Sequence, residues 1–567
     1  MKLNRLSLNT IGLNRIGLNR SGSTSVGSSV TDRPYISPDV LSALAGVWIA
    51  DGKSNTDPDR NIIKNKLPGR GGDFEIFNAA YKLNSGFGKY DEDFSTMKDY
   101  GTKGIVRTSS KIYLDESFDY DKGFWLGYTN SPSPAYKVRV SGIPKDGVLN
   151  YTGGSWINLI NGINELPART NTEEIHGFVA QTPNVDWSKL VIEQIPEYEG
   201  SFVTDGVNDM IVSQNTVEEM GITDEFTVVS MIHQITLRGA TAAALTNYIR
   251  QPIGYEYVRN HVANIGKTGI YGYAVYDVNH SNANNSHVIN TILGDKNDYS
   301  IHITGNLSQG KFSVQGYINS DNNIVELSQV AWYWTFIAKR ALTTDEINQV
   351  IAYYNLDKHV MPDIYYDVKK QGLTNDTPDE DWYLKDFSGN GRDMTLYNYA
   401  RTPESGINEE GGLQSDGVDD YGQFVGDLGL KDYTVAVDRA YQDENVNCVP
   451  FISSVGRTGG APFLMEMVHP TSHVTYPYSF GTPTESVVLN SSRQISYQST
   501  YVYNRNSIAR GNSVKTGDGL TIGSNEGVSQ YSKLCLWSFL LFPYTLSEFL
   551  LERQLKKHKL GTLYPGM

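Results

Sequence analysis

Acidic side chains are the first residues whose type and spacing could support chemistry. Asp416, Asp419 and Asp420 fall within five residues around Gly417, and Asp205 and Asp209 stand the same way around Gly206. Asp at such spacing caps its own turn by accepting backbone N–H groups. Asp91-Glu92-Asp93 and Asp379-Glu380-Asp381 read as loop runs whose natural partner is solvent. Acyl transfer has no candidate, because no G-x-S-x-G turn occurs. His469 and His473 are four apart, a metal-compatible spacing only on a helix, and Pro470 and Pro477 deny them one.

The elements that position the acidic turns occur twice. Gly69-Arg70-Gly71-Gly72-Asp73 followed by Phe74-Glu75-Ile76-Phe77-Asn78 aligns without a gap on Gly389-Asn390-Gly391-Arg392-Asp393 and Met394-Thr395-Leu396-Tyr397-Asn398. Thr204-Asp205-Gly206-Val207-Asn208-Asp209 matches Ser415-Asp416-Gly417-Val418-Asp419-Asp420, and Glu225-Phe226-Thr227-Val228 matches Asp432-Tyr433-Thr434-Val435. Two copies make tandem domains, not a solenoid. The step from Asn78 to Asp205 exceeds that from Asn398 to Asp416 by about 109 residues, an insertion of domain size in an exposed loop. Inside it, Ile112-Tyr113-Leu114, Phe124-Trp125-Leu126, Tyr136 to Val140, Ile157 to Ile160 and Lys189 to Ile192 read as strands parted by turns.

Both copies close on an aromatic strand, with Trp334 set against Trp537, and then a short helix. Thr343 and Glu346 form a capping box ahead of Ile347, Val350, Ile351 and Tyr354 on one face. The second helix ends in Lys556, Lys557 and Lys559, with Gly561 beyond.

The order of these motifs, Asp416 to Tyr421, then Asp432 to Val437, then Thr521 to Asn525, then an aromatic strand and a short helix, resembles the laminin-G-like, concanavalin-A-like jelly rolls. The resemblance spans roughly Gly46 to Leu356, less the insertion, and Pro362 to the C-terminus. It implies an all-β chain of two tandem jelly-roll sandwiches, the first interrupted by a small inserted β-sandwich. The divisions expected are 1–33 as an N-terminal anchor, 34–103 and 199–360 as the first jelly roll, 104–198 as the insert and 361–567 as the second jelly roll. Such folds hold calcium in a loop rim, which makes Asp416, Asp419 and Asp420, with Asp205 and Asp209, the candidate Ca2+ ligands. Asn208 in place of Asp419 removes one charge from the first set. Glycan binding on the same fold needs exposed aromatic platforms, for which Trp125, Tyr128, Trp156 and Trp187 stand as candidates, with core packing the competing role. Glycosidases of the concanavalin-like class use an alternating E-x-D-x-x-E run, and neither copy has it. No catalytic residue is named, and the chain is expected not to be an enzyme.

Composition agrees with strands and wet turns: 567 residues hold 54 Gly and 37 Tyr with only 39% hydrophobic. A net charge of −15 argues against nucleic acid as a partner. No run approaches the ~20 apolar residues of a membrane span, and Ser7, Asn9, Thr10 and Gly12 interrupt any secretion signal. Synthesis in a cytoplasm is expected. Cys448 and Cys535, the two cysteines, read as buried free thiols.

Residues 3 to 22 repeat every five: LNRLS, LNTIG, LNRIG, LNRSG. A period of five suits neither a strand face nor a helix face. Read as an anchor, Leu3, Leu8, Leu13 and Leu18 fill pockets on a partner while Arg5, Arg15 and Arg20 meet its carboxylates; a disordered tail is the bland alternative. This tail combined with jelly rolls resembles the fibre proteins of crAss-like phages of gut bacteria. That resemblance implies a non-enzymatic virion protein at the particle surface, a head fibre or capsid-decorating appendage held through its N-terminus to capsid or tail proteins. Its lectin-like domains would meet host or mucosal glycans, and it would be a homo-oligomer, a trimer ahead of a dimer. A tail fibre, a free lectin or a glycan-active enzyme are the alternatives.

Overall fold

The computed structural model describes residues 34–560 apart from internal segments, the longest being 249–258, 262–273, 276–285, 295–310 and 442–451. The fold is all-β. In the first repeat an eight-stranded sheet runs in the order Ala274–Val275, Ser286–Gly294, Phe226–Thr236, Gln329–Ala338, Glu197–Val203, Gly86–Lys89, with Leu44–Ile49 also on Gln329–Ala338. Six strands face it, among them Phe74–Phe77, Met210–Thr216 and Lys311–Val314. The second repeat pairs an eight-stranded sheet centred on Thr434–Tyr441 and Leu534–Phe542 with a nine-stranded sheet holding Met394–Tyr397 and Tyr421–Val425.

The run Val330 to Ala338 is buried throughout, and apolar but for Thr335, because its strand is covered on both faces. Trp332 and Ile337 join Trp48 and Phe74 between the two sheets. Ala331, Tyr333, Trp334, Phe336 and Ala338 turn outward, where they meet the helices Pro38–Ala43, Thr344–Tyr353 and Glu548–Lys557 and, from the second repeat, Ala436, Leu540 and Phe542. The backs of the two eight-stranded sheets thus share one helical layer. Thr545–Leu546 extends the union by pairing in parallel with Ser286–Gly294. The capping box at Thr343 and Glu346 is present, and Ile347, Val350 and Ile351 are the buried face. Arg340 at 2.8 Å holds the Glu346 carboxyl down to about 2.

The repeats correspond further than the sequence alignment reached. Asn55 accepts from Phe87 N (2.7 Å) and donates to Phe87 O (3.3 Å); Asn375 makes the same pair with Ile407 (2.7 and 2.9 Å). Phe87 and Gly86 pair with Phe202 and Val203, as Ile407 and Gly406 pair with Leu413 and Gln414. The insertion therefore sits at a hairpin tip: residues 88–201 stand where the second repeat needs only 408–412. Its two five-stranded sheets enclose their own core, including Phe94, Tyr151, Phe178 and Trp187. They begin at Lys98–Asp99, ahead of residue 104, and end at Val191–Ile195.

One alignment is corrected. Ala331 lies opposite Val203 and Cys535 opposite Gln414, so Trp537 corresponds to Tyr333, not to Trp334. Each strand carries a bulge, opposite Met231/Ile232 in one repeat and Asp438/Arg439 in the other, and a bulge reverses which side chains face inward.

Candidate functional site

The acidic turns have the same construction in both repeats. Asp416 N donates to Asp420 Oδ2 (2.9 Å) and Val418 N to Asp416 Oδ1 (2.7 Å). Asp205 N donates to Asp209 Oδ2 (2.8 Å) and Val207 N to Asp205 Oδ1 (2.7 Å). Asn398 Nδ2 and Asn78 Nδ2 tie the turns to the neighbouring strands through Asp419 O (2.8 Å) and Asn208 O (2.9 Å). Both Asn residues have positive φ, 68° and 64°, a conformation Asn tolerates better than most residues. Asp420 and Asp209 are buried, and burial pushes each carboxyl up to about 6, partly offset by the hydroxyls of Ser405 and Ser85.

In the second repeat one oxygen from each of Asp416, Asp419 and Asp420 lies within 4.8 Å of the others. This oxygen-rich set suits a hard cation. The first-repeat turn, with Asn208, holds two carboxylates in place of three. The carboxylate oxygens of Asp416 and Asp420 already serve the turn, so turn capping and cation binding draw on the same groups.

The four aromatic candidates separate. Trp125 (38% exposed) and Trp156 (54% exposed) stand on one sheet of the insert with ring centroids 6.5 Å apart and planes at 58°. Alternation explains Trp125, which points outward between the buried Phe124 and Leu126. Trp187 is no platform: it is fully buried, with Nε1 donating to Thr182 O at 3.2 Å. Tyr128 is corrected as well. Its hydroxyl is spent on Asp93 O (2.6 Å) and its ring packs on His176 at 5.1 Å.

An aromatic strip that sequence reading missed lies beside the second acidic turn. Tyr397 and Tyr421 stack at 4.7 Å and 13°, with Tyr531 6.0 Å beyond. Phe77 and Met210 hold the corresponding paired positions in the first repeat. Cross-strand register, unlike local pattern, makes the strip.

Cys535 is a buried free thiol pushed up to about 12 by burial, with Asn408 Nδ2 at 3.1 Å from its sulfur. That environment keeps it inert. Leu3, Arg5, Leu8, Leu13, Arg15, Leu18 and Arg20 lie outside the described residues, as do Cys448, His469 and His473. Among the described residues no helix is long and apolar enough to cross a membrane.

No family model matches the sequence, and no curated protein matches it. Solved structures that match include Trypanosoma rangeli sialidase in complex with sialic acid, at 10% identity and a TM-score of 0.27 over 91% of this chain and 97% of that one. The same sialidase with 2,3-difluorosialic acid, a covalent intermediate, matches at 11% identity and 0.28 over 91% and 92%. The proteins in these matched structures are sialidases, against the expectation that the chain is not an enzyme. That reading is withdrawn. At this identity and score the likeness assigns no reaction and no substrate to the chain.

Proposed function

We propose that the chain is a surface protein of a phage particle, a head fibre or capsid-decorating appendage held through its N-terminal pentad repeat, that presents β-sandwich modules to glycans. The observation that carries the glycan half is the Trp125/Trp156 pair. Two large aromatic faces, both more than a third exposed, sit on a sandwich mounted at a hairpin tip. Exposed Trp on a soluble surface costs solubility unless it meets a partner, and the flat C–H face of a sugar ring complements an indole. The second-repeat Asp set would take Ca2+ and fix the loop beside the Tyr397/Tyr421 strip. The virion half rests on the repeat at residues 3–22 joined to tandem sandwiches. Several copies, three in the simplest fibre, would turn a weak single site into useful avidity.

Two experiments test the halves separately. Gold-labelled antibody against the purified chain should decorate the particles that carry it, and bare particles overturn the virion assignment. On a glycan array the wild type should bind a discrete set of sugars, and Trp125→Ala with Trp156→Ala should lose them. An array profile unaltered in the double variant removes the insert from glycan recognition.

A further inference from the structure

A cleft of about 490 Å³ opens where the two repeats meet, a size typical of small-ligand sites. Its walls are aromatic and come from both repeats. Tyr198 lies on His233 with centroids 4.4 Å apart, and Tyr544 of the second repeat closes on His233 edge-to-face at 6.1 Å. Tyr333 lines the same space, with His359 at 6.1 Å from it. Glu197 and Glu199, both exposed, flank Tyr198 at the mouth.

Tyr198 is held in an uncommon conformation. Its φ is +60°, inside the stretch where the strand Glu197–Val203 slips register against Gly86–Lys89. A left-handed tyrosine is disfavoured, and such outliers gather at ligand sites because surrounding structure must hold them. Here the bulge lays the ring over His233 and leaves the carboxylates of its two neighbours at the rim. The phenols remain protonated, since burial raises Tyr198, Tyr333 and Tyr544 above the ordinary value. Tyr544 spends its proton on Met361 O at 3.1 Å. What the cleft offers is therefore π faces and carboxylates. Lysine side chains of the chain itself already seek the acids nearby: Lys89 pairs with Glu197 and Lys358 with Asp51, whose other oxygen lies 3.0 Å from His359 Nε2.

We propose that this cleft binds an organic ammonium cation, through the ring faces of Tyr198, Tyr333 and Tyr544 and the carboxylate of Glu199, Glu197 being held by Lys89. Aromatic faces attract cations within about 6 Å of the ring centroid, and low hydration of an alkylated ammonium favours a partly apolar cleft. The cation could be presented as a quaternary headgroup or as a lysine side chain; both share the ammonium chemistry. The site stands apart from the Trp125/Trp156 pair and does not rest on the virion reading.

Calorimetric titration of the full chain with choline, with Nα-acetyl-lysine methylamide and with 3,3-dimethylbutan-1-ol tests the proposal. The alcohol copies the shape of choline without its charge. Saturable binding of either cation, with the alcohol at least about tenfold weaker, is the expected result, and the stronger cation identifies the source. Glu199→Gln should weaken that binding about fivefold to tenfold and Tyr198→Ala more, while Trp125→Ala leaves it unchanged. Because the cleft joins the repeats, the bound cation should also raise the Tm of the wild type and not of Glu199→Gln. Equal binding of the neutral alcohol, no binding of either cation, or full binding in Glu199→Gln overturns the proposal.

Discussion

Thr227 and Thr434 perform the same task in the two repeats. Each hydroxyl donates to a carbonyl beyond the last long strand, Arg340 O and Tyr544 O, both at 2.9 Å. Each then accepts from the amide two residues further on, Leu342 N and Leu546 N, again at 2.9 Å. One buried hydroxyl thereby fixes the corner where strand gives way to helix. This explains why Thr recurs in Phe226-Thr227-Val228 and Tyr433-Thr434-Val435.

Replacing that hydroxyl should be expensive for its size. Thr434→Val keeps the shape but strands Leu546 N and Tyr544 O in a buried corner, at about 1–3 kcal/mol. Thr434→Ser should retain most of the stability. Urea unfolding monitored by tryptophan fluorescence measures both.

The acidic turns should make stability depend on pH in a definite direction. Burial raises the carboxyls of Asp420 and Asp209 from an ordinary 3.8 to about 6, so the fold favours their protonated forms. Their contribution is fully present below pH 3.8 and is lost as pH rises through about 6. Asp420→Asn keeps an acceptor for Asp416 N without the charge. Relative to wild type, the variant should gain stability as pH rises from about 4 to about 7, read from Tm across that range. Ca2+ should favour the ionised wild type and leave the variant indifferent.

Tryptophans of the insert should divide by burial. Trp187→Ala removes a fully buried ring and its bond to Thr182 O, at about 3–5 kcal/mol. Trp156→Ala, at an exposed site, should cost less than about 1 kcal/mol and affect binding instead. Thermal melts of the two variants should differ accordingly.

Arg553 ties the repeats together. Its Nε and Nη2 donate to Asp357 Oδ2 at 3.1 and 2.9 Å, and Nη1 donates to Asn348 Oδ1 at 2.6 Å. Arg553→Met leaves the buried Asp357 without this partner, a loss of about 3–5 kcal/mol by analogy with broken buried pairs. Limited proteolysis should then cut between the repeats, near residues 357–363, before either sandwich is degraded.

The hairpin-tip geometry predicts that the insert can be removed. Joining residue 87 to residue 202 through Asn408-Glu409-Glu410-Gly411-Gly412 should leave a chain with both sandwiches folded, since the insert has its own core. A soluble product with β-type circular dichroism and one sharp melt is the expected result, and aggregation would show that the first sandwich needs its guest.

Local chemistry is what the sequence by itself determined. Turns that need Gly or Asn at positive φ, a Thr–Glu capping box and period-two alternation act within a few residues, so the all-β class, the repeat and the helix at Thr344–Tyr353 could be read directly. The insertion was visible because the flanking motifs kept their order. Facing and meeting were decided only in three dimensions. Tyr333 and Trp537 are each the extra residue of a bulge in the aromatic strand, which sets Trp537 against Tyr333 instead of Trp334, and no local pattern records a bulge. Trp187 and Trp156 are both sandwich tryptophans, yet only packing against the insert core puts one inside. Tyr198, His233 and Tyr544 are hundreds of residues apart at the extremes and meet because two sheets share a helical layer. Strand pairing and burial between distant segments depend on the whole fold at once, which is why the cleft they line emerges only from the tertiary structure.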